Sequence, residues 1–185
     1  CKYHCYAIFI LSIIFVLMAR YPMENSAKIC FNRRYIAVKE MNTMGRFVNP
    51  GNSAFKVALA SEIYIDKTGL LDFTNSVLGT KQAYICNSRP RRFGKSITAD
   101  MLTAYYSKGC DSRELFSGLE IAKDESFEEH LNKYDTIFLN MQEFLSATQS
   151  MEEMLRLLQK RLITDLKNRY SSYEIEDNLV FAMQD

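Results

Sequence analysis

The sequence predicts an α/β fold, a parallel sheet flanked by helices and incomplete towards the C-terminus. Three observations carry that prediction. Ala83-Tyr84-Ile85-Cys86 is a short apolar run without polar alternation, the pattern of a parallel strand buried on both faces. Thr136 to Met141 (TIFLNM) is a second run of the same kind. From Met151 to Tyr170, residues Met154, Leu158, Leu162 and Leu166 fall on one stripe with Leu155 beside it, as in a crossover helix packed on a sheet.

The first strand opens the most informative stretch, Lys81 to Gly109 (KQAYICNSRPRRFGKSITADMLTAYYSKG). After the strand, Asn87 to Phe93 is polar and basic. Gly94-Lys95-Ser96 then opens a helix whose apolar residues Ile97, Met101, Leu102 and Tyr105 recur at helical spacing, and Gly109 is placed to stop it. A helix start presents N–H groups and the positive end of the helix dipole, which together suit phosphate oxygens. In that setting Gly94 lets backbone approach phosphate, Lys95 reaches the β- and γ-phosphates, and the Ser96 hydroxyl ligates Mg²⁺. These three residues form the second half of the Walker A pattern G-x-x-x-x-G-K-S/T. The first half departs from it. Arg89 stands where the leading glycine is expected, and Pro90 follows with no N–H to give. Arg89, Arg91 and Arg92 add positive charge. Strand, loop and helix together predict a sheet of the P-loop NTPase kind, with residues 89–96 (Arg89, Pro90, Arg91, Arg92, Phe93, Gly94, Lys95 and Ser96) as the nucleotide-binding set, ATP as ligand and Mg²⁺ as its companion ion.

SRPRRFGKS (Ser88 to Ser96), preceded by YIDKTGLL (Tyr64 to Leu71) and followed by AYYSKGCDSRELFSGLEIAKD (Ala104 to Asp124), resembles the AAA-ATPase-like family of bacterial proteins. The resemblance runs from about Met44 to Asp185. It implies ATP binding and hydrolysis by a divergent P-loop domain, commonly followed in the family by a restriction-endonuclease-like domain through which nucleic acid would be a partner. In that family the arginine-rich loop is the usual signature, so Arg89 departs from Walker A in general but not from the family.

Size and composition set the wider bounds. A chain of 185 residues with 48 % hydrophobic and 24 % charged residues can bury a sizeable core as one domain. The net charge of +1 argues neither for nor against nucleic acid, so any basic surface is local. The five cysteines are odd in number and form no C-x-x-C pair, which suggests neither a disulfide framework nor a zinc site and suits a reducing cytoplasm. Cys86, in the first strand, reads as a small core hydrophobe.

Residues 1–43 stand apart from 44–185. Tyr3 to Ala19 is almost wholly apolar, and Arg20, Lys28, Arg33, Arg34 and Lys39 follow it. Two readings stay open: a short transmembrane helix over 3–19 that tethers a cytoplasmic domain to the membrane, or a stretch upstream of a true start at Met41 or Met44. Further along, Asp66 or Thr68 is expected to cap a helix over Leu70 to Leu78. Three capping boxes are expected at Asp111/Glu114, Ser126/Glu129 and Ser150/Glu153. His130 reads as a surface or helix-end residue, and a further helix is expected from Asp177 to Asp185. Asn140 and Glu143, at the C-terminal end of the second strand, are weak candidates to face a nucleotide.

No apolar run after Met141 ends in the acidic residue that would hold Mg²⁺ as Walker B, so no catalytic residue can be named. The expectation is an N-terminal piece of a longer ATPase, able to bind ATP but inactive alone. Two other functions compete. One is a nucleic-acid-binding module using Arg89, Arg91, Arg92 and Lys95, disfavoured by near-neutral charge and little aromatic interleaving. The other is a membrane-tethered protein whose degenerate loop no longer binds nucleotide.

Overall fold

The computed structural model describes residues 5–11, 14–20, 45–88, 90, 92–171 and 175–179. Strands β1 (Cys5–Leu11) and β2 (Ile14–Arg20) are followed by helices α1 (Ser53–Leu59) and α2 (Gly69–Val77). Strand β3 (Tyr84–Cys86) then leads to helix α3 (Lys95–Tyr106). Short helices α4 (Arg113–Phe116) and α5 (Phe127–His130) flank a 3-10 turn at Glu120–Lys123. Strand β4 (Asp135–Asn140) runs directly into α6 (Met141–Ser146), and α7 (Met151–Arg169) follows. Helices and strands mix along the chain, as the α/β prediction expects, but two strands and two helices come before β3. The helix expected from Asp177 onward lies largely outside the described residues.

The sheet corrects the prediction in one respect. Its order is β3-β1-β2-β4. β1 is parallel to β3, antiparallel to β2, and β2 is antiparallel to β4. β3 and β4 therefore point the same way, but an antiparallel hairpin lies between them and the sheet is mixed. That hairpin is built from the apolar run expected to be a transmembrane helix. Among the described residues no helix is long and apolar enough to cross a membrane, and an anchoring helix at 3–19 is not supported. The physical reason is a shared demand. A bilayer and the middle of a sheet both exclude water, and both select uninterrupted apolar sequence. The run is rich in Ile, Phe, Tyr and Val, which fit a pleated sheet at least as well as a helix. As central strands, β1 and β2 also meet the backbone hydrogen-bonding needs of β3 and β4.

β3 corrects a second expectation. It lies at the edge of the sheet, with Tyr84 67 % exposed and the Cys86 thiol exposed, so it is not buried on both faces and Cys86 is not a core hydrophobe. Ala83 is buried just before it and Ile85 packs partly against the core.

Two hydrophobic clusters sandwich the sheet. On one side Phe55, Leu71, Met101, Leu102, Phe116 and Ile121 pack with Phe138 of β4. On the other, Ile137 and Leu139 meet Phe47, Phe144, Met154, Leu162 and Leu166. Adjacent residues of β4 thus face opposite layers, as strand alternation requires. The stripe of α7 lies in the second cluster, which bears out its reading as a helix packed on the sheet. The Ser150 half of its capping box forms, Oγ accepting from Glu153 N (3.1 Å), while the Glu153 carboxylate accepts from Gln149 N (2.9 Å), one residue before the N-cap. Farther along α7, Asp165 accepts from the amides of Phe47 and Val48 (2.7 and 2.9 Å) and fixes that segment beside β4, where Val48 bridges Ile137.

Helix α3 is deeply buried: every residue from Met101 to Tyr106 is buried. Burying two tyrosines demands partners for their hydroxyls, and a polar network supplies them. Tyr106 donates to Asn75 Oδ1 (2.6 Å) and meets Thr74 Oγ1 (2.6 Å). Asn75 Nδ2 donates to Tyr105 (3.1 Å) and to Ser126 (2.8 Å), and Tyr105 donates to the Phe127 carbonyl (3.0 Å). At the C-terminal end of α3, Asn132 donates to the Ala104 and Ser107 carbonyls (3.0 and 2.7 Å) from a left-handed backbone position (φ 55°). His130 ends α5 as expected, yet it is buried, stacked on Tyr134 and hydrogen-bonded to its hydroxyl.

Tyr106→Phe would leave Asn75 Oδ1 and Thr74 buried with one partner fewer. Urea unfolding should show a loss of about 1–3 kcal/mol, against less than about 0.5 kcal/mol for Tyr84→Phe on the exposed edge.

Candidate phosphate-binding site

The site is built where β3 passes into α3. Gly94 is the N-cap of α3 in a left-handed conformation (φ 75°, ψ 27°) and brings no side chain to the helix start. The helix ladder begins when Thr98 N donates to the Gly94 carbonyl (2.9 Å), and the Thr98 hydroxyl reaches the same oxygen (3.1 Å). The amides of the turn before Thr98 have no carbonyl one turn back to receive them, which is the general condition of a helix start. Arg92 is also left-handed (φ 68°), an uncommon state for a residue with a Cβ. Two left-handed residues on either side of Phe93 curl the chain, the kind of turn that gathers amides into an anion-sized concavity.

A cavity of about 660 Å³ opens in front of this turn, at the C-terminal end of β3. Ile85 and Cys86 from β3, Asn87 just after it, Phe93, Lys95 and Thr98 from the turn and α3, and Ile65, Lys67 and Leu70 line it. A smaller cavity of about 290 Å³ shares Ile65, Lys67, Phe93 and Thr98 with the first and adds Arg92, Gly94 and Ile97. Lys95 is half-buried, whereas Pro90, Arg92, Phe93 and Ser96 are exposed. Arg89 and Arg91 lie outside the described residues.

The neighbouring Asp66-Lys67-Thr68 triplet behaves differently from the simple helix cap expected of it. Asp66 accepts from the Thr68 amide (2.8 Å) and hydroxyl (2.7 Å) and, across the fold, from Glu120 N (2.8 Å). Burial raises the Asp66 pKa, but the bonds from Thr68 and Glu120 outweigh it and hold the carboxyl below its ordinary value. Thr68, fully buried, sits at the N-cap of α2 without capping it, and its hydroxyl accepts from Ile121 N (3.2 Å). Lys67 between them donates to the Phe93 carbonyl (2.9 Å).

The other acidic and polar candidates have structural partners. Asn140 caps α6 by accepting from Gln142 N (3.1 Å), Glu143 pairs with Arg46, and neither lines the cavity. Among the described residues no group of three His, Cys, Asp or Glu side chains is placed to hold a metal ion.

Sequence reasoning missed the left-handed turn at Arg92 and the approach of Lys67. The turn leaves no compositional mark, because arginine is not a left-handed former. For Lys67 the sign was present: an acid, a lysine and a threonine close before the loop. Its approach across 26 residues was not readable from spacing.

The family model AAA-ATPase_like, described as a predicted AAA-ATPase, matches residues 52–184. No curated protein matches the chain. No solved structure matches it either.

Asp100, in the second turn of α3, has its pKa raised to about 6 by burial, from an ordinary 3.8. Its protonated form stabilises the folded chain fully below the ordinary value, and that contribution is lost as pH rises through about 6. Asp100→Asn should therefore flatten the unfolding free energy between pH 4 and pH 6.5. It should also stabilise the chain at pH 7.5 by about 1–3 kcal/mol, measured by denaturant titration at each pH.

Proposed function

The chain belongs to the AAA-ATPase-like family, and from that premise we propose that it is an ATP-binding module whose triphosphate sits at the turn between β3 and α3. The observation that carries the reading is Gly94. It is left-handed, lacks a Cβ, opens a helix of 12 residues and lines the smaller of two adjoining cavities, the larger of which is lined by Lys95. The positive end of α3 and the amides of its first turn suit phosphate oxygens, and the Lys95 ammonium supplies charge to the β- and γ-phosphates. Phe93, Arg92 and Pro90, with Arg89 and Arg91, form the rest of the loop in this reading.

The residues present fit a nucleotide polyphosphate in charge and in the room left by the absent Cβ. For Mg²⁺ they offer the Ser96 hydroxyl. That suffices as one ligand, because Mg²⁺ retains waters and takes the rest of its shell from phosphates. When bound, the ion would neutralise phosphate charge. Hydrolysis would further require a carboxylate on the metal and a group to orient water, and no described residue is assigned either role.

Lys95→Ala should weaken ATP binding by about 10- to 100-fold, as expected for losing a charge-assisted hydrogen bond, with the far-UV spectrum and melting temperature nearly unchanged. Calorimetric titration with ATP, with and without Mg²⁺, measures it. Equal affinity in the two proteins would remove the phosphate-loop assignment.

A further inference from the structure

We propose that Lys67 is a second phosphate-binding cation of this site, reaching the polyphosphate from the connection between α1 and α2. The inference rests on the reading of the β3–α3 turn as a triphosphate site and adds a residue from outside the loop.

The triplet divides its labour. Asp66 and Thr68 anchor the connection to the 3-10 turn through Glu120 N and Ile121 N, more than 50 residues away in sequence. With both flanking residues fixed, the backbone of Lys67 is held at a set place. The side chain itself has no share in that anchoring. It is exposed, makes no ion pair among the described residues, and lies against the loop backbone. Its Nζ is 2.9 Å from the Phe93 carbonyl and 2.9 Å from where a Cβ on residue 94 would stand. Glycine at 94 therefore makes room for the ammonium as well as for the left-handed turn.

Charge and hydrogen-bonding capacity then point to the ligand. An ammonium has three donors, and the Phe93 carbonyl takes one. Lys67 and Lys95 line the same cavity from opposite elements, so an anion inside it meets both. The adjoining loop already carries Arg89, Arg91, Arg92 and Lys95. Bringing Lys67 into the cavities lined by Arg92 and Lys95 is opposed by Coulomb repulsion. A polyanion reverses the sign of that interaction, and a triphosphate chain brings more charge and more acceptor oxygens to the two lysines than a single phosphate does. Asp66, the nearest carboxylate in sequence, is engaged by Thr68 and Glu120 and does not neutralise its neighbour. Lys67 is thus a specificity element for phosphate-chain length.

The test uses the full chain and three variants: Lys67→Gln, which keeps a donor for the Phe93 carbonyl but removes the charge, Lys67→Arg, which keeps the charge, and Lys95→Ala. Calorimetric titrations use ATP, ADP, AMP, inorganic tripolyphosphate and a single-stranded oligonucleotide. For Lys67→Gln the expected result is an affinity about tenfold lower for ATP and tripolyphosphate, less than about twofold lower for AMP, and restored towards wild type by Lys67→Arg. Melting temperatures without ligand should agree among all four proteins. Unchanged ATP affinity in Lys67→Gln, with Lys95→Ala impaired, overturns the role of Lys67 and leaves the triphosphate site standing. An equal loss for ATP and AMP, or a fallen melting temperature with ATP affinity kept, makes Lys67 a structural staple and overturns it likewise. Wild-type chain that binds neither ATP nor tripolyphosphate, or binds the oligonucleotide more tightly than ATP, overturns both readings together.

Discussion

The hydroxyl network around Tyr105 and Tyr106 is the constraint on which the remaining architecture depends. Helix α3 is held at its far end by buried hydrogen bonds as well as by apolar packing. Asn75 sits at the centre of that network, bonded to both tyrosines and to Ser126. One amide thus ties α2, α3 and the start of α5 into a unit. Asn132 adds the C-terminal carbonyls of α3. A fully satisfied buried network of this kind specifies one packing arrangement, because any shift of the helix would leave several polar groups without partners in a dry interior. The loop at the opposite end inherits that rigidity.

Carboxylates in this chain serve mainly as fasteners for backbone. Asp66 holds the connection before α2 against the 3-10 turn, and Asp165 holds residues 47 and 48 against α7. Asp135 gathers Asn49, Lys108 and the Tyr170 hydroxyl at the start of β4. Each joins segments far apart in sequence.

Much of the local structure was legible because it follows rules of short range. β4, α7 with its cap, α2 and the strand–loop–helix around Gly94 all carry periodicity or termini that a sequence displays directly. What was hidden depends on partners. The apolar run over 3–19 satisfies the requirements of a bilayer and of a sheet interior equally, and only β3 and β4 decide between them. The edge position of β3 exposes Tyr84 and Cys86, though the run itself reads as fully apolar. His130 offered no sign of burial because Tyr134, beyond the end of α5 and next to β4, supplies both its ring partner and its hydrogen bond. The site divided in the same way. Gly94, Lys95 and Ser96 announce themselves by spacing, whereas Lys67 arrives through a fold-level contact.

The placement of the β1–β2 hairpin bears on how the chain comes off the ribosome. Its two neighbours in the sheet are β3, at residues 84–86, and β4, at residues 135–140. From the emergence of Arg20 to that of Asn140 about 120 residues must be made, roughly 6–24 s at ordinary synthesis rates. Until β3 emerges, about halfway through that interval, this apolar segment has only its own hairpin partner, and the β2 edge stays open until β4 follows. Long-range pairing of this sort closes late and raises the entropic cost of the folding barrier. Apolar surface of the hairpin therefore stays uncovered by the sheet during synthesis until β4 completes it.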